Sequence, residues 1–366
     1  MANTEAVNLY QPLKLGRIEL ANRMVMAPLT RNRAAAGNTP AEMTVEYYAQ
    51  RASVGLIIAE ATQVSAQAQG YIATPGLHTP EQITAWRKVT DEVHARGGRI
   101  FVQLWHTGRM SHTAFQPGEQ APVAPSAIAA KAKTYIPGAG YADTSTPRAL
   151  ELSEIPGIVN DFRVAARNAI EAGFDGVEIH GAHGYLIDAF LRDGSNKRED
   201  AYGGSIENRA RFLLEIMTAV TQEIGADRVG IRISPVSPVN DSSESQPQPL
   251  FEYVVRELNK IKPVYIHVVE GATGGPRDNA PFDYDTLRSL YDGVWMLNNG
   301  YTKDMAEAAL AEGRGQLVSF GRLMITNPDL PRRFKENAPL NEMFADAPLY
   351  GGMGPHGYID YPSLPA

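Results

Sequence analysis

The chain has 366 residues, a length that suits an α/β barrel with insertions better than an ordinary single domain. Hydrophobic residues make up 43% and charged residues 20%, which requires a large buried core and excludes wholesale disorder. The net charge of −7 comes without any basic run that would grip nucleic acid, and the absence of cysteine excludes disulfides, thiolate zinc sites, cysteine nucleophiles and cysteine-ligated iron–sulfur clusters.

In chain order, residues 10–22 (YQPLKLGRIELAN) alternate about a glycine and predict a hairpin that plugs one end of the fold. Strand-length apolar runs follow at 24–29 (MVMAPL), 55–64 (GLIIAEATQV) and 99–106 (RIFVQLWH). A helical pattern at 80–98 separates the last two. Residues 107–150 are rich in Pro, Ala and Gly and form a long insertion after the third strand. An amphipathic helix is predicted over 153–173, then a strand at 176–182 (GVEIHGA) and a helix over 205–225. Ser153 and Ser205 are the candidate caps of these two helices. Further strands are predicted at 229–235 (VGIRISP), 264–271 (VYIHVVEG), 293–300 (GVWMLNNG) and 316–322 (QLVSFGR), with a helix over 301–313. The tail, 338–366, carries repeated Gly, Pro and Tyr and reads as extended.

Near-continuous hydrophobicity marks strands covered on both faces, and their alternation with helices implies a parallel sheet. Eight such units in about 300 residues favour a closed (β/α)8 barrel over an open doubly wound sheet. No G-x-G-x-x-G follows any strand, as an open nucleotide-binding sheet would usually require. The expectation is an α/β protein, a TIM barrel with an N-terminal hairpin, forming a single domain over residues 1–366. No apolar stretch reaches the ~18 residues of a membrane span, and MANTEAVNLYQPLKLG lacks the shape of a secretory signal. A cytoplasmic location, with no membrane partner, is expected.

Barrel enzymes draw their chemistry from the C-terminal ends of several strands. Those ends here hold Ala27-Pro28-Leu29-Thr30, Ala61, Gln103, Trp105, His180, His183, Tyr185, Arg232, Asn299-Gly300 and Gly321-Arg322. Arg232, between two isoleucines, faces either the barrel interior or the outside. Gly300 and Gly321 are either turn residues or a phosphate cradle, with Arg322 as the matching charge. His180 and His183 could suit a metal, but no H-E-x-x-H helix is present and Glu178 is a poor third ligand. Beside Tyr185 they make better sense as hydrogen-bond donors next to a proton donor, so no metal is expected. Schiff-base chemistry needs a lysine in the mouth, and none of the eight strand runs contains one.

The stretches NRMVMAPLTR, EYYAQRASVGLIIAEAT, QLWHTGR, APVAPSAI, AGFDGVEIHGAHGYLIDAFL, YGGSIENRARF, GIRISP, NNGY, FGR and GYIDYP occur in this order along nearly the whole chain. Through them the sequence resembles the old yellow enzyme family of FMN-containing reductases. Within that family it looks most like the bacterial glycerol trinitrate, pentaerythritol tetranitrate and N-ethylmaleimide reductases, the run HVVEGATGGPRD (267–278) suggesting the first.

The resemblance implies non-covalent FMN lined by Ala27, Pro28, Leu29, Thr30, Ala61 and Gln103, with Arg232 beside the flavin N1/O2 edge. It implies a phosphate held by Asn299, Gly300, Gly321 and Arg322. His180 and His183 would bind a substrate carbonyl or nitro oxygen, and Tyr185 would protonate Cα after hydride reaches Cβ. Tyr71, Trp105 and Tyr350 match positions on the substrate side of the flavin; rim packing is the alternative for each, and less so for Trp105. The implied activity is a ping-pong ene-reductase using NADPH or NADH on enones, enals, maleimides or nitroalkenes, with side activity on nitrate esters and nitro compounds. A flavin store would need FMN but neither Tyr185 nor the histidine pair. Monomer and homodimer are both compatible with the sequence. Residues 134–146 and 236–248 depart from the family and are expected near the mouth, where they bear on substrate preference.

Overall fold

The computed structural model describes residues 7–277, 281–352 and 354–365. Eight parallel strands close a barrel: β1 (Met24–Met26), β2 (Leu56–Gln63), β3 (Ile100–Trp105), β4 (Gly176–Gly181), β5 (Val229–Ile233), β6 (Tyr265–Val269), β7 (Val294–Asn298) and β8 (Leu317–Phe320). All eight lie inside the apolar runs read from the sequence. The antiparallel hairpin Leu13–Leu15/Ile18–Leu20 closes the barrel at the N-terminal ends of the strands. Its Leu15 and Leu20 join Val25, Leu56, Ile58, Phe101, Tyr265, Met296 and Leu317 in a buried apolar plug. Gly16 makes the tight approach possible: its φ is +55° and a Cβ there would meet the Asp227 carbonyl oxygen at 2.1 Å. Arg17 then pairs with Asp227 at 2.6 Å, on the turn just before β5.

The helices outside are α1 (Glu42–Ala49), α2 (Pro80–Ala95), α3 (Ile155–Glu171), α4 (Leu186–Leu191), α5 (Ile206–Ile224), α6 (Pro247–Ile261), α7 (Tyr284–Ser289), α8 (Lys303–Ala311), α9 (Arg322–Thr326) and α10 (Leu330–Glu336). A second, larger apolar cluster fills the space between them and the strands. Thr79 and Gln82 form a reciprocal capping box at the start of α2, and Ser205 caps α5 by accepting from Asn208 N. Ser153 does not cap α3. That helix starts after Glu154, which is already in the helical region and makes no side-chain cap bond; its carboxylate instead pairs with Arg148 at 2.7 Å.

The insertion after β3 holds short 3-10 turns and a hairpin, Lys133–Ile136 paired with Gly140–Asp143. Beyond α10 the described tail contains neither helix nor strand. It is strapped to the barrel by Arg31, whose Nε donates to Leu349 O at 2.9 Å, and by Tyr358, stacked on Tyr47 at 4.2 Å. Among the described residues no helix is long and apolar enough to cross a membrane.

Candidate active site

Alternation along each strand puts every second side chain inside the barrel, and the interior changes character along its axis. Below lies the apolar plug. At the C-terminal end the inward positions are Gln103, Trp105, His180 and Arg232, all buried. Arg232 faces inward: its Nη2 donates to Asn298 Oδ1 at 2.8 Å and it lies in register with His180 on β4 and His267 on β6.

Five aromatic and imidazole rings meet at the mouth: Trp105 and His180 from the ends of β3 and β4, Tyr71 from the loop after β2, and His183 and Tyr185 from the loop after β4. Trp105 stacks on Tyr71 at 5.7 Å and on His180 at 6.1 Å, and meets Tyr185 edge-on at 4.7 Å. His180 lies 4.9 Å from the Tyr185 ring and 5.5 Å from His183. The Tyr71 and Tyr185 hydroxyls are 3.3 Å apart. Tyr350 comes from the tail and is 68% exposed, so it occupies the outer rim of the group rather than its floor. It is still close enough for its charge to affect the titration of Tyr71 and Tyr185.

Hydrogen bonds decide what these side chains can offer. His180 Nδ1 accepts from Ala182 N at 3.3 Å, which assigns the imidazole proton to Nε2. His183 sits at φ +61°, an uncommon conformation for a non-glycine residue, just past the end of β4. Its main-chain N donates to Ser234 Oγ at 2.9 Å and its carbonyl accepts from Asn240 Nδ2 at 2.8 Å. Its Nε2 is 2.9 Å from Thr273 Oγ1, which is itself 2.8 Å from Ser237 Oγ. Burial, reinforced by the charge of Arg232, holds both histidines well below their ordinary range, so both are neutral at physiological pH. Burial raises Tyr185, while donation from Tyr71 and Asn240 and the charge of Arg232 work the other way; it remains protonated at neutral pH.

The remaining positions gather on the opposite side of the mouth. Ala27 N donates to Phe320 O at 3.0 Å, tying the end of β1 to β8, and a Cβ on Gly321 would lie 3.4 Å from Leu29. Pro28 is buried and Thr30 half-buried on the same segment. Near Ala61 the β2–β3 register shifts between Ala59 and Thr62, a bulge that fits one extra residue into the strand. Gly300 has φ +70° and open space where its Cβ would be, and Arg322 is exposed, its guanidinium near Gly274. The Asn299 side chain is wholly engaged elsewhere: Nδ2 donates to Glu270 O and Ala272 O, and Oδ1 accepts from Gly274 N. Only its main chain, at φ +103°, remains for a ligand. Among the described residues there is no cluster of three or more His, Cys, Asp or Glu that could hold a metal ion.

Thr273, Ser237 and Asn240 did not emerge from the sequence as site residues. Their only signal was position, on the loops after β5 and β6. A phenol, whose oxygen would mimic a substrate oxygen between the two histidines, serves as a probe: Thr273→Val is expected to weaken its binding roughly three- to tenfold, the worth of one net hydrogen bond, with Thr273→Ser restoring it in a spectroscopic titration.

Residues 8–341 match the family model described as "NADH:flavin oxidoreductase / NADH oxidase family". The chain is 46% identical over 370 residues to 12-oxophytodienoate reductase 2 of Arabidopsis thaliana, covering 100% of this chain and 98% of that protein. Morphinone reductase in complex with tetrahydroNAD superposes with a TM-score of 0.93 at 44% identity, covering 98% of both chains. An old yellow enzyme homologue from Zymomonas mobilis gives 0.93 at 41% identity, covering 98% of this chain and 100% of that one. With the closed barrel and a match over almost its whole length, the chain belongs to the NADH:flavin oxidoreductase / NADH oxidase family, the old yellow enzymes, and is an FMN-dependent NAD(P)H oxidoreductase.

Proposed function

We propose that the protein is an ene-reductase acting on electron-poor alkenes whose double bond is conjugated to a carbonyl or nitro group. The observation that carries this reading is the grouping of two neutral, buried imidazoles at the barrel mouth, His180 lying between His183 and the protonated Tyr185. Bound FMN, reduced by NAD(P)H, supplies the hydride.

The residues present suit FMN. Arg232 is a buried cation; among the described residues no carboxylate touches it and its Nε has no partner. An electron-rich pyrimidine edge satisfies such a group. Gln103 retains an amide oxygen and one N–H beyond the bond it makes to Glu178. Ala27, Pro28, Leu29, Thr30 and Ala61 supply small or apolar surface at the ends of β1 and β2. Gly300, Gly321, the Asn299 main chain and Arg322 form the phosphate end.

On the substrate side, His180 Nε2–H and His183 hold the activating oxygen. His183 Nε2 shares one hydrogen with the Thr273 hydroxyl, itself bonded to Ser237; with Thr273 donating, the second imidazole proton lies on Nδ1 and each histidine offers one donor. Two such donors withdraw electron density from the conjugated double bond, opening its β-carbon to hydride. Positioned donors of this kind are commonly worth about 3 kcal/mol each. Tyr185 delivers the proton to the α-carbon, and Tyr71 is placed to donate into the phenolate oxygen that results. Trp105, Tyr71 and Tyr350 wall the pocket and select planar substrates. A nitro group presents an acceptor oxygen to the same two donors, which extends the reading to nitroalkenes and nitrate esters.

The test is a visible spectrum of the purified protein, followed by anaerobic NADPH and then 2-cyclohexenone. Flavin absorption bleached by NADPH and restored by the enone is the expected result. Bleaching without restoration by any enone, maleimide or nitroalkene overturns the substrate class.

A further inference from the structure

Directly beneath the histidine–tyrosine group the barrel interior is polar, and six consecutive strands each contribute one side chain. These are Gln103 (β3), Glu178 (β4), Arg232 (β5), His267 (β6), Asn298 (β7) and Ser319 (β8), none more than 7% exposed. Glu178 is the belt's only carboxylate. Its Oε1 accepts from Gln103 Nε2 at 2.8 Å, and its Oε2 accepts from Tyr265 Oη at 3.0 Å and His267 Nδ1 at 2.8 Å.

Those bonds give the whole belt a direction. A carboxylate only accepts, so His267 carries its proton on Nδ1 and Nε2 becomes an acceptor. The Ser319 hydroxyl, 2.8 Å away, therefore donates to it. Ser319 Oγ in turn accepts from Asn298 Nδ2 at 2.7 Å, and Asn298 Oδ1 accepts from Arg232 Nη2 at 2.8 Å. Every donor from Arg232 onward points toward Glu178. Such a run polarises cooperatively in a low-dielectric interior, linking the buried cation to a carboxylate it never touches. Ser319, His267 and Glu178 have the order of a hydrolytic triad, but at 2%, 0% and 0% exposure they offer no nucleophile to a substrate.

We propose that Glu178 is a positioning residue for the flavin reaction. It fixes which way round the Gln103 amide presents its donor and acceptor. Through the relay it offsets part of the Arg232 charge and so sets how strongly the site prefers reduced over oxidised FMN. The inference rests on the reading that Gln103 and Arg232 face the pyrimidine edge of FMN.

The experiment is the midpoint potential of the FMN-loaded protein, with FMN dissociation constants measured in parallel. In Glu178→Gln the Arg232 charge is less compensated. The preference for the reduced, anionic form is expected to rise about tenfold, equivalent to about 30 mV upward for a two-electron couple. Tyr265→Phe removes a neutral donor from the same carboxylate and leaves its charge less satisfied. It is expected to shift the preference about threefold the other way, the worth of one hydrogen bond. Opposite signs establish that Glu178 offsets the Arg232 charge, along the relay and directly across the barrel. Equal loosening of oxidised and reduced FMN with an unchanged potential, or shifts of the same sign in both variants, overturns it. If Glu178→Gln fails to fold, the sign in Tyr265→Phe decides alone. Arg232→Lys separates the two readings: a changed potential there with none in the Glu178 and Tyr265 variants refutes only the relay. No change in any of the three refutes the placement of Arg232 against the flavin.

Discussion

Replacing Tyr185 with phenylalanine is expected to slow enone reduction by about 10²–10⁴-fold, the usual contribution of a positioned general acid. The half-reaction in which NAD(P)H reduces the flavin should proceed at close to its original rate. Burial keeps the Tyr185 phenol protonated at neutral pH, as a proton donor must be, while its contact with Tyr71 and the charge of Arg232 ease loss of the proton during reaction. Phenylalanine keeps the ring against Trp105 and His180 and deletes only the hydroxyl. Stopped-flow separation of the two half-reactions checks this. Equal slowing of both would mean that the hydroxyl supports the shape of the site rather than donating the proton, and an unaffected oxidative half-reaction would remove Tyr185 as the proton donor.

Loss of the imidazole pair should be as severe. His180→Ala is expected to lower enone turnover by about 10²-fold and to weaken phenol binding measurably, because one of two donors aimed at the acceptor oxygen is gone. His183→Ala removes the other donor; histidine already carries a Cβ at φ +61°, so most of the backbone strain is common to both residues. His183→Asn is the cleaner probe: asparagine tolerates this backbone region and keeps an N–H donor, so most of the affinity should survive. Phenol titrations that do not change in any of the three variants would remove the histidines from the substrate site.

The pH dependence follows from the same burial. The folded-state pKa values of both histidines are depressed below the unfolded value, so the stability tied to their neutral forms is present above about pH 6.5 and lost as pH falls. Binding of an uncharged enone should accordingly be flat from about pH 6.5 to 8, measured by quenching of flavin absorbance. A rise in affinity on acidification within that window would mean that an imidazolium, not a neutral imidazole, holds the oxygen.

Much of this architecture is legible along the chain, because the signals involved are local. Apolar runs at 24–29, 55–64 and onward mark strands covered on both faces, Gly16 marks the hairpin turn, and Ser205 marks a helix start. The polar residues at the strand ends were readable for the same reason: His180, Tyr185 and Gln103 break apolar runs that otherwise have no cause to stop. Ser153 shows the limit of such signals, since Arg148 draws Glu154 into an ion pair and the helix begins one residue later than the cap pattern implies.

Contacts across the barrel are a different matter. Whether Arg232 faced in or out was undecided by two flanking isoleucines; closure decided it by placing Asn298, 66 residues away, within 2.8 Å. Thr273 meets His183 across 90 residues, and Asn299 spends its side chain on the loop that carries Thr273. The strands, the hairpin plug and the polar groups at the mouth are set locally, because backbone preference and hydrophobic period act between near neighbours. Which of those groups share a hydrogen, and in which direction it is donated, was decided only by the tertiary structure, because hydrogen bonds require about 3 Å between atoms that the chain order leaves far apart.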